Sequence, residues 1–178
     1  GLISSTAVVT VAGNVAGDSV TVAEEYASKD VLGVNGSTLG IQAGYTIVDG
    51  ALADMSGNYT ITDTATAAGT ITAKALTAVD LVGTVTKIYD GDNTVANLTT
   101  GNYSITGFLA GEGATIGETT GTYDAGKNVQ GPISAVTSAV LAGSDYTQDA
   151  GTLLSNYDLS AVTGVSATGA IGEITPKA

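Results

Sequence analysis

The 178-residue chain has no cysteine, no histidine, no tryptophan and no arginine, with only one phenylalanine, one methionine and two prolines. Each absence closes a class of chemistry. Without Cys or His there is no thiolate nucleophile, no imidazole base, no serine triad built on histidine and no soft-metal centre. No disulfide can staple the fold, so packing and backbone pairing must hold it. Positive charge is scarce as well: 5 Lys stand against 17 Asp and Glu, a formal net charge of −12. A field of that sign repels nucleic acid and anionic lipid, so neither a nucleic-acid partner nor membrane insertion is expected. No apolar run in the chain approaches the roughly 18 residues that cross a bilayer as a helix. With so few aromatics, the sugar-lined cleft of a carboxylate-pair glycosidase is not expected either, and the chain reads as a non-enzyme.

What is plentiful is small: 28 Thr, 26 Ala, 25 Gly and 18 Val. Hydrophobic residues make up 43%, enough for a core, while charged residues at 12% are about half the usual share. The wetted surface must therefore come from hydroxyls and amides. Thr and Val are β-branched and suit a pleated, half-buried face. Apolar and polar residues alternate in Ser19–Val22, Asn58–Thr62, Thr70–Thr72 and Thr84–Tyr89, each read as a strand. Turn pairs such as Gly13-Asn14, Asn35-Gly36, Asp49-Gly50, Asp90-Gly91 and Gly101-Asn102 separate them. The pattern predicts an antiparallel all-β chain. Only residues 50–55 and 149–154 look able to hold a helical turn.

An internal repeat organises this pattern. Gly13 to Asp18 recurs as Gly107 to Glu112, and Tyr26 to Val31 as Tyr123 to Val129. Asn58-Tyr59-Thr60-Ile61 recurs as Asn156-Tyr157-Asp158-Leu159, and Gly69 to Ala75 as Gly172 to Ala178. Order and spacing agree, which implies two homologous units, 1–75 and 76–178. The strand around Leu81 to Tyr89 has no counterpart before Gly1. A phasing with the break near residue 75 leaves the first unit without its opening strand and with an open edge. A break near residue 90 would instead leave the second unit without its last strand. The ending Ile174-Thr175-Pro176-Lys177-Ala178 favours the former. The chain does not begin with Met and is read as a fragment of a longer polypeptide.

The motifs Lys87-Ile88-Tyr89-Asp90-Gly91, Ala110-Gly111-Glu112, Tyr123 through Val129, Asn156-Tyr157 and Ile174 to Ala178 resemble the YDG repeat. It is related to the MBG (mostly-β glycine-rich) repeats of large bacterial surface adhesins and filamentous-haemagglutinin-like exoproteins. The resemblance spans nearly the whole chain, and only the first unit lacks the Lys-x-Tyr-Asp-Gly start. It implies a secreted or cell-surface location and a structural stalk in adhesion or biofilm, with neighbouring repeats as partners and no catalytic residues. The expected fold is two tandem small antiparallel β domains, Ig-like sandwiches or β-grasp-like, each with one short helical turn. Extra length between Ser144 and Ser155 marks the place where a loop could instead recognise a glycan or a host or matrix protein.

Several positions carry specific expectations. Lys87 and Asp90 flank a strand end, where Lys87 either snorkels beside Tyr89 above an Asp90-Gly91 turn or enters an isopeptide crosslink. Asp90, Asp92 and Asn93 are the candidate metal ligands, a short oxygen cluster for Ca²⁺ without the EF-hand spacing. Calcium is the one cofactor the sequence leaves room for, in which case it would stiffen the repeat. Tyr26, Tyr123, Tyr59 and Tyr157 are read as core anchors, because a chain so poor in aromatics must draw much of its buried area from them. Asn35, Asn58, Asn97 and Asn102 open Asn-x-Ser/Thr sequons. The Thr-x-Thr pairs drift in spacing and read as strand faces wetted by hydroxyls, not as an ice-binding array.

Overall fold

Alternating β-branched and small polar residues make strands along the whole chain. In the computed structural model, which describes residues 3–4 and 9–178, 39% of residues are strand and no helix reaches seven residues. The chain is all-β and sandwich-like in character. It divides into two compact units, Gly1–Thr72 and Ala73–Ala178.

The first unit holds β1 (Ile3–Ser4), β2 (Ser19–Thr21), β3 (Glu24–Tyr26), β4 (Ser37–Ile41), β5 (Thr46–Val48) and β6 (Thr66–Gly69). One sheet has the order β1-β3-β4-β6, antiparallel throughout, and β2 pairs with β5 in a second antiparallel pair. Burial is slight: among its described residues only Leu39 and Ile47 are buried apolar side chains.

In the second unit follow β7 (Lys74–Ala75), β8 (Ala78–Leu81), β9 (Val85–Ile88), β10 (Thr94–Val95), β11 (Tyr103–Thr106) and β12 (Ala114–Ile116). Then come β13 (Gly121–Tyr123), β14 (Gln130–Val140), β15 (Tyr146–Gln148), β16 (Tyr157–Asp158) and β17 (Ser166–Thr175). The main sheet runs β10-β13-β14-β17-β8-β11, with β9 also on β17, while β12 pairs with β15. Parallel pairs join the expected antiparallel ones, because the segment that opens the unit returns beside the strands that close it. β8 and β9 both lie parallel to β17, and β7 lies parallel to β16. Fifteen buried apolar residues form one core, led by Tyr123, Leu76, Leu98, Ile116, Leu141 and Ile174.

The order β1-β3-β4-β6 recurs as β10-β13-β14-β17, and the pair β2-β5 recurs as β12-β15. Two local expectations differ from what is found. The stretch 50–55 is a turn, because Asp49 Oδ1 accepts the backbone N–H groups of Ala51 and Ala53, both at 2.9 Å, and 149–153 is a turn that runs into a 3₁₀ turn at Leu154. Leu52 (φ 62°) and Gly151 (φ 85°) also leave the helical region. Short 3₁₀ turns follow instead at Ser56–Asn58 and Leu154–Asn156, with two more at Thr100–Asn102 and Gly143–Asp145. Nor do Asn58–Thr62 and Thr70–Thr72 form strands. Their counterparts do, at β16 and the end of β17, where β7 and β9 supply the partner. An alternating sequence without a partner stays irregular.

Candidate functional site

The repeated tyrosines build the most regular feature of the chain. Tyr59 Oη donates to Asp18 Oδ2 at 2.6 Å and accepts from the Val15 backbone N–H at 3.1 Å. In the second unit Tyr157 Oη donates to Glu112 Oε2 at 2.6 Å and accepts from the Leu109 N–H at 3.2 Å. Each clasp holds a loop whose first glycine has positive φ, Gly13 at 92° and Gly107 at 124°. The hydrogen bond to Asp18 raises the Tyr59 phenol above its ordinary pKa. Tyr157 is buried and meets Phe108 edge-on, with ring centroids 4.7 Å apart; Tyr59 is half-buried.

Tyr26 and Tyr123 repeat a second arrangement. Tyr26 Oη donates to the Thr70 carbonyl at 3.3 Å. Tyr123 Oη lies 3.2 Å from the Glu173 carbonyl and 3.3 Å from that of Val85, which share its proton. Both rings cover a glycine of the last strand. A Cβ on Gly69 would sit 2.4 Å from the Tyr26 ring, and one on Gly172 would sit 2.7 Å from that of Tyr123. Tyr123 is fully buried, which pushes its phenol up, whereas Tyr26 is half-exposed.

Lys87, Tyr89, Asp90 and Gly91 do gather at a strand end. Tyr89 packs against the core and Gly91 takes φ 95°, a conformation that favours glycine. Lys87 Nζ lies 2.8 Å from Asp90 Oδ1 and 2.6 Å from Asp92 Oδ1, and donates to the Thr94 carbonyl at 3.2 Å. Burial alone would pull the ammonium down, but the bonds to Asp90 and Asp92 outweigh it and hold its pKa above that of an ordinary lysine. Those same bonds hold both carboxyls below the usual range, helped by the Asp92 and Thr94 backbone N–H groups. The ammonium thus occupies the place between the acids that a metal ion would need. Asn93 turns its amide to the Tyr123 carbonyl at 3.4 Å. Both partners are held charged, and the acids are 53% and 60% exposed, an arrangement for ionic attraction and not for amide condensation. Among the described residues no group of three or more Asp or Glu could hold a metal.

Elsewhere the structure gives expected sites other work. Asn102 is buried, donating to the Val82 carbonyl at 3.1 Å while its Oδ1 accepts from Thr99, so its sequon is closed to a sugar. Ser144–Ser155 is no free loop: it contains β15, and Thr152 Oγ1 accepts from the Gly113 N–H at 2.9 Å. In the first unit a cleft of about 360 Å³ opens between residues 9–14 and 59–65, with Val20, Ile41 and Ile47 on its floor. Family models, curated proteins and solved structures contain no match to the chain.

Sequence reasoning missed the partners of the tyrosines and the cleft. The repeat had already aligned Asp18 with Glu112 and Gly69 with Gly172, so the pairs were visible as recurring positions. What was missing was the link from each to a tyrosine more than forty residues away. It also missed Tyr103 and Tyr146, whose phenols burial pushes up to about 12.

Proposed function

We propose that the chain is a pair of non-catalytic spacer repeats from a secreted or cell-surface bacterial adhesin of the YDG/MBG kind. The observation that carries the reading is duplication in detail. The same strand order, the same tyrosine–carboxylate clasp and the same tyrosine over glycine occur twice within one chain. A module that works by extension must repeat its frame, whereas a catalytic or recognition site needs to be made only once. The ionisable groups fit the reading: the acids with lowered pKa bond neighbouring backbone, serine, threonine or lysine groups, and the two that meet, Asp90 and Asp92, share the Lys87 ammonium. Excess negative charge and hydroxyl-rich faces keep a crowded array apart and discourage edge pairing.

In this role the partners are neighbouring repeats, and a glycan or host protein is met elsewhere in the parent molecule. Chains carrying two, four and six units, measured by small-angle scattering, test it. Maximum dimension should grow by a constant increment per unit, with one unfolding behaviour per unit type. A dimension that stays near that of two units, or selective binding on a glycan array abolished by exchanging residues 144–155, would overturn it.

A further inference from the structure

One continuous segment, residues 74–88, completes the second unit. Its β7 lies parallel to β16, its β8 lies between β11 and β17, and its β9 extends along the far half of β17. Leu76, Leu81 and Val85 carry it into the core, exposed by 1%, 4% and 3%. The first unit possesses the counterpart of every strand that this segment touches, but among its described residues not the segment. Residues 9–12 precede Gly13 as β11 precedes Gly107, Tyr59-Thr60 match β16, and Thr66–Thr72 match the part of β17 around Gly172. None of residues 9–12, 59–60 and 70–72 is in a strand, and among the described residues β6 pairs on one side only. The cleft is lined by two of these stretches, 9–12 and 59–60, and reaches Ala65, the residue before β6. Its wall includes Val9, Val11, Val20, Ile41, Ile47 and Ile61, of which Val11 is 43% and Ile61 36% exposed.

We propose that this cleft is a strand-acceptor groove, and that its occupant is an extended peptide of the Lys74–Ile88 kind. The peptide would lie antiparallel to residues 9–12 and parallel to β6 and Gly69–Thr72, with apolar side chains at the Leu76, Leu81 and Val85 positions entering the groove. Main-chain hydrogen bonds provide the adhesion and the alternate side chains the register, as in strand addition generally. The second unit supplies length, direction and side-chain chemistry for the occupant, because there the equivalent slot is filled. Tyr26 shows the same deficit. Its hydroxyl meets one carbonyl where that of Tyr123 meets two, and the second belongs to Val85 of the filling segment. The inference does not depend on the spacer reading, since a groove for a strand would exist whatever the parent protein does.

The test titrates the 178-residue chain with a dye-labelled synthetic peptide of the sequence Lys74–Ile88, followed by anisotropy and by amide chemical shifts. Saturable one-to-one binding is expected, with shifts confined to residues 9–72 and an earlier-melting transition that rises with peptide. A peptide carrying Leu81→Asp and Val85→Asp, or a chain carrying Val11→Glu, should bind at least about tenfold more weakly. Val11 is exposed, so V11E should leave the melting of the unliganded chain unchanged. Absence of binding, binding indifferent to either change, or shifts centred on residues 73–178 would overturn the proposal.

Discussion

The two units share a frame and differ in what fills it. Each has four antiparallel strands in the same order and a two-stranded companion, and each uses one tyrosine to clasp a loop and another to cover a glycine. Yet among the described residues Leu39 and Ile47 are the buried apolar side chains of the first unit, while the second buries fifteen apolar residues around Tyr123 and Ile174. Three of those fifteen, Leu76, Leu81 and Val85, come from residues 74–88, and the Val85 carbonyl also accepts from the Tyr123 hydroxyl. Strand order is thus shared by the two units, whereas the larger apolar core belongs to the second alone. Frame and core are separable.

The sharpest way to break the comparison is to remove the equivalent tyrosine from each unit. Tyr123→Ala should cost about 3–5 kcal/mol, because a fully buried ring leaves a cavity that its neighbours cannot fill. Tyr26→Ala, at a half-exposed position, should cost only about 1 kcal/mol. Denaturant titration with a probe in each unit reads both, and equal losses would end the distinction. Next comes the glycine beneath each ring. Gly172→Ala should cost roughly 1–3 kcal/mol, since the Tyr123 ring and the Val136 side chain both stand within 3 Å of the new methyl and are both buried. Gly69→Ala should cost less, because Tyr26 can swing outward.

A smaller contrast appears at high pH. Burial pushes the phenols of Tyr103 and Tyr146 to about 12, above the ordinary 10. Between those values the unfolded chain has lost protons that the folded unit keeps, so folding stability is intact below pH 10 and falls as pH rises toward 12. Melting followed from about pH 9 to 12 should show the second unit losing stability through that window, with the phenolate absorbance rising on unfolding. The smallest effect concerns calcium. With the Lys87 ammonium between Asp90 and Asp92, calcium and EDTA should give the same midpoint for the second unit. A clear rise with calcium would mean that the ion displaces the lysine.

Much of the frame was legible in the sequence because it rests on short-range signals. Alternation located β2 and β9, and positive-φ glycines such as Gly91 marked turns. At 50–55 and 149–153 the side-chain bonds of Asp49 and the backbone of Leu52 and Gly151 compete with helix formation, and composition does not reveal that. Thr70–Thr72 illustrates the deeper reason. Its pattern is as strand-like as that of Glu173–Thr175, yet among the described residues only the latter meets a partner strand, and pairing belongs to the fold as a whole. The same reasoning explains the candidate site. Lys87 and Asp90 are three residues apart and form one motif in the sequence, whereas Tyr157 and Glu112 are forty-five apart and do not.

The parallel ladder between β9 and β17 has a mechanical consequence. One strand comes from the opening of the second unit and the other from its close, and they point the same way. Tension drawn through the polypeptide on either side would slide these two strands lengthwise past each other, so their hydrogen bonds would share the load together instead of parting one by one like a zip.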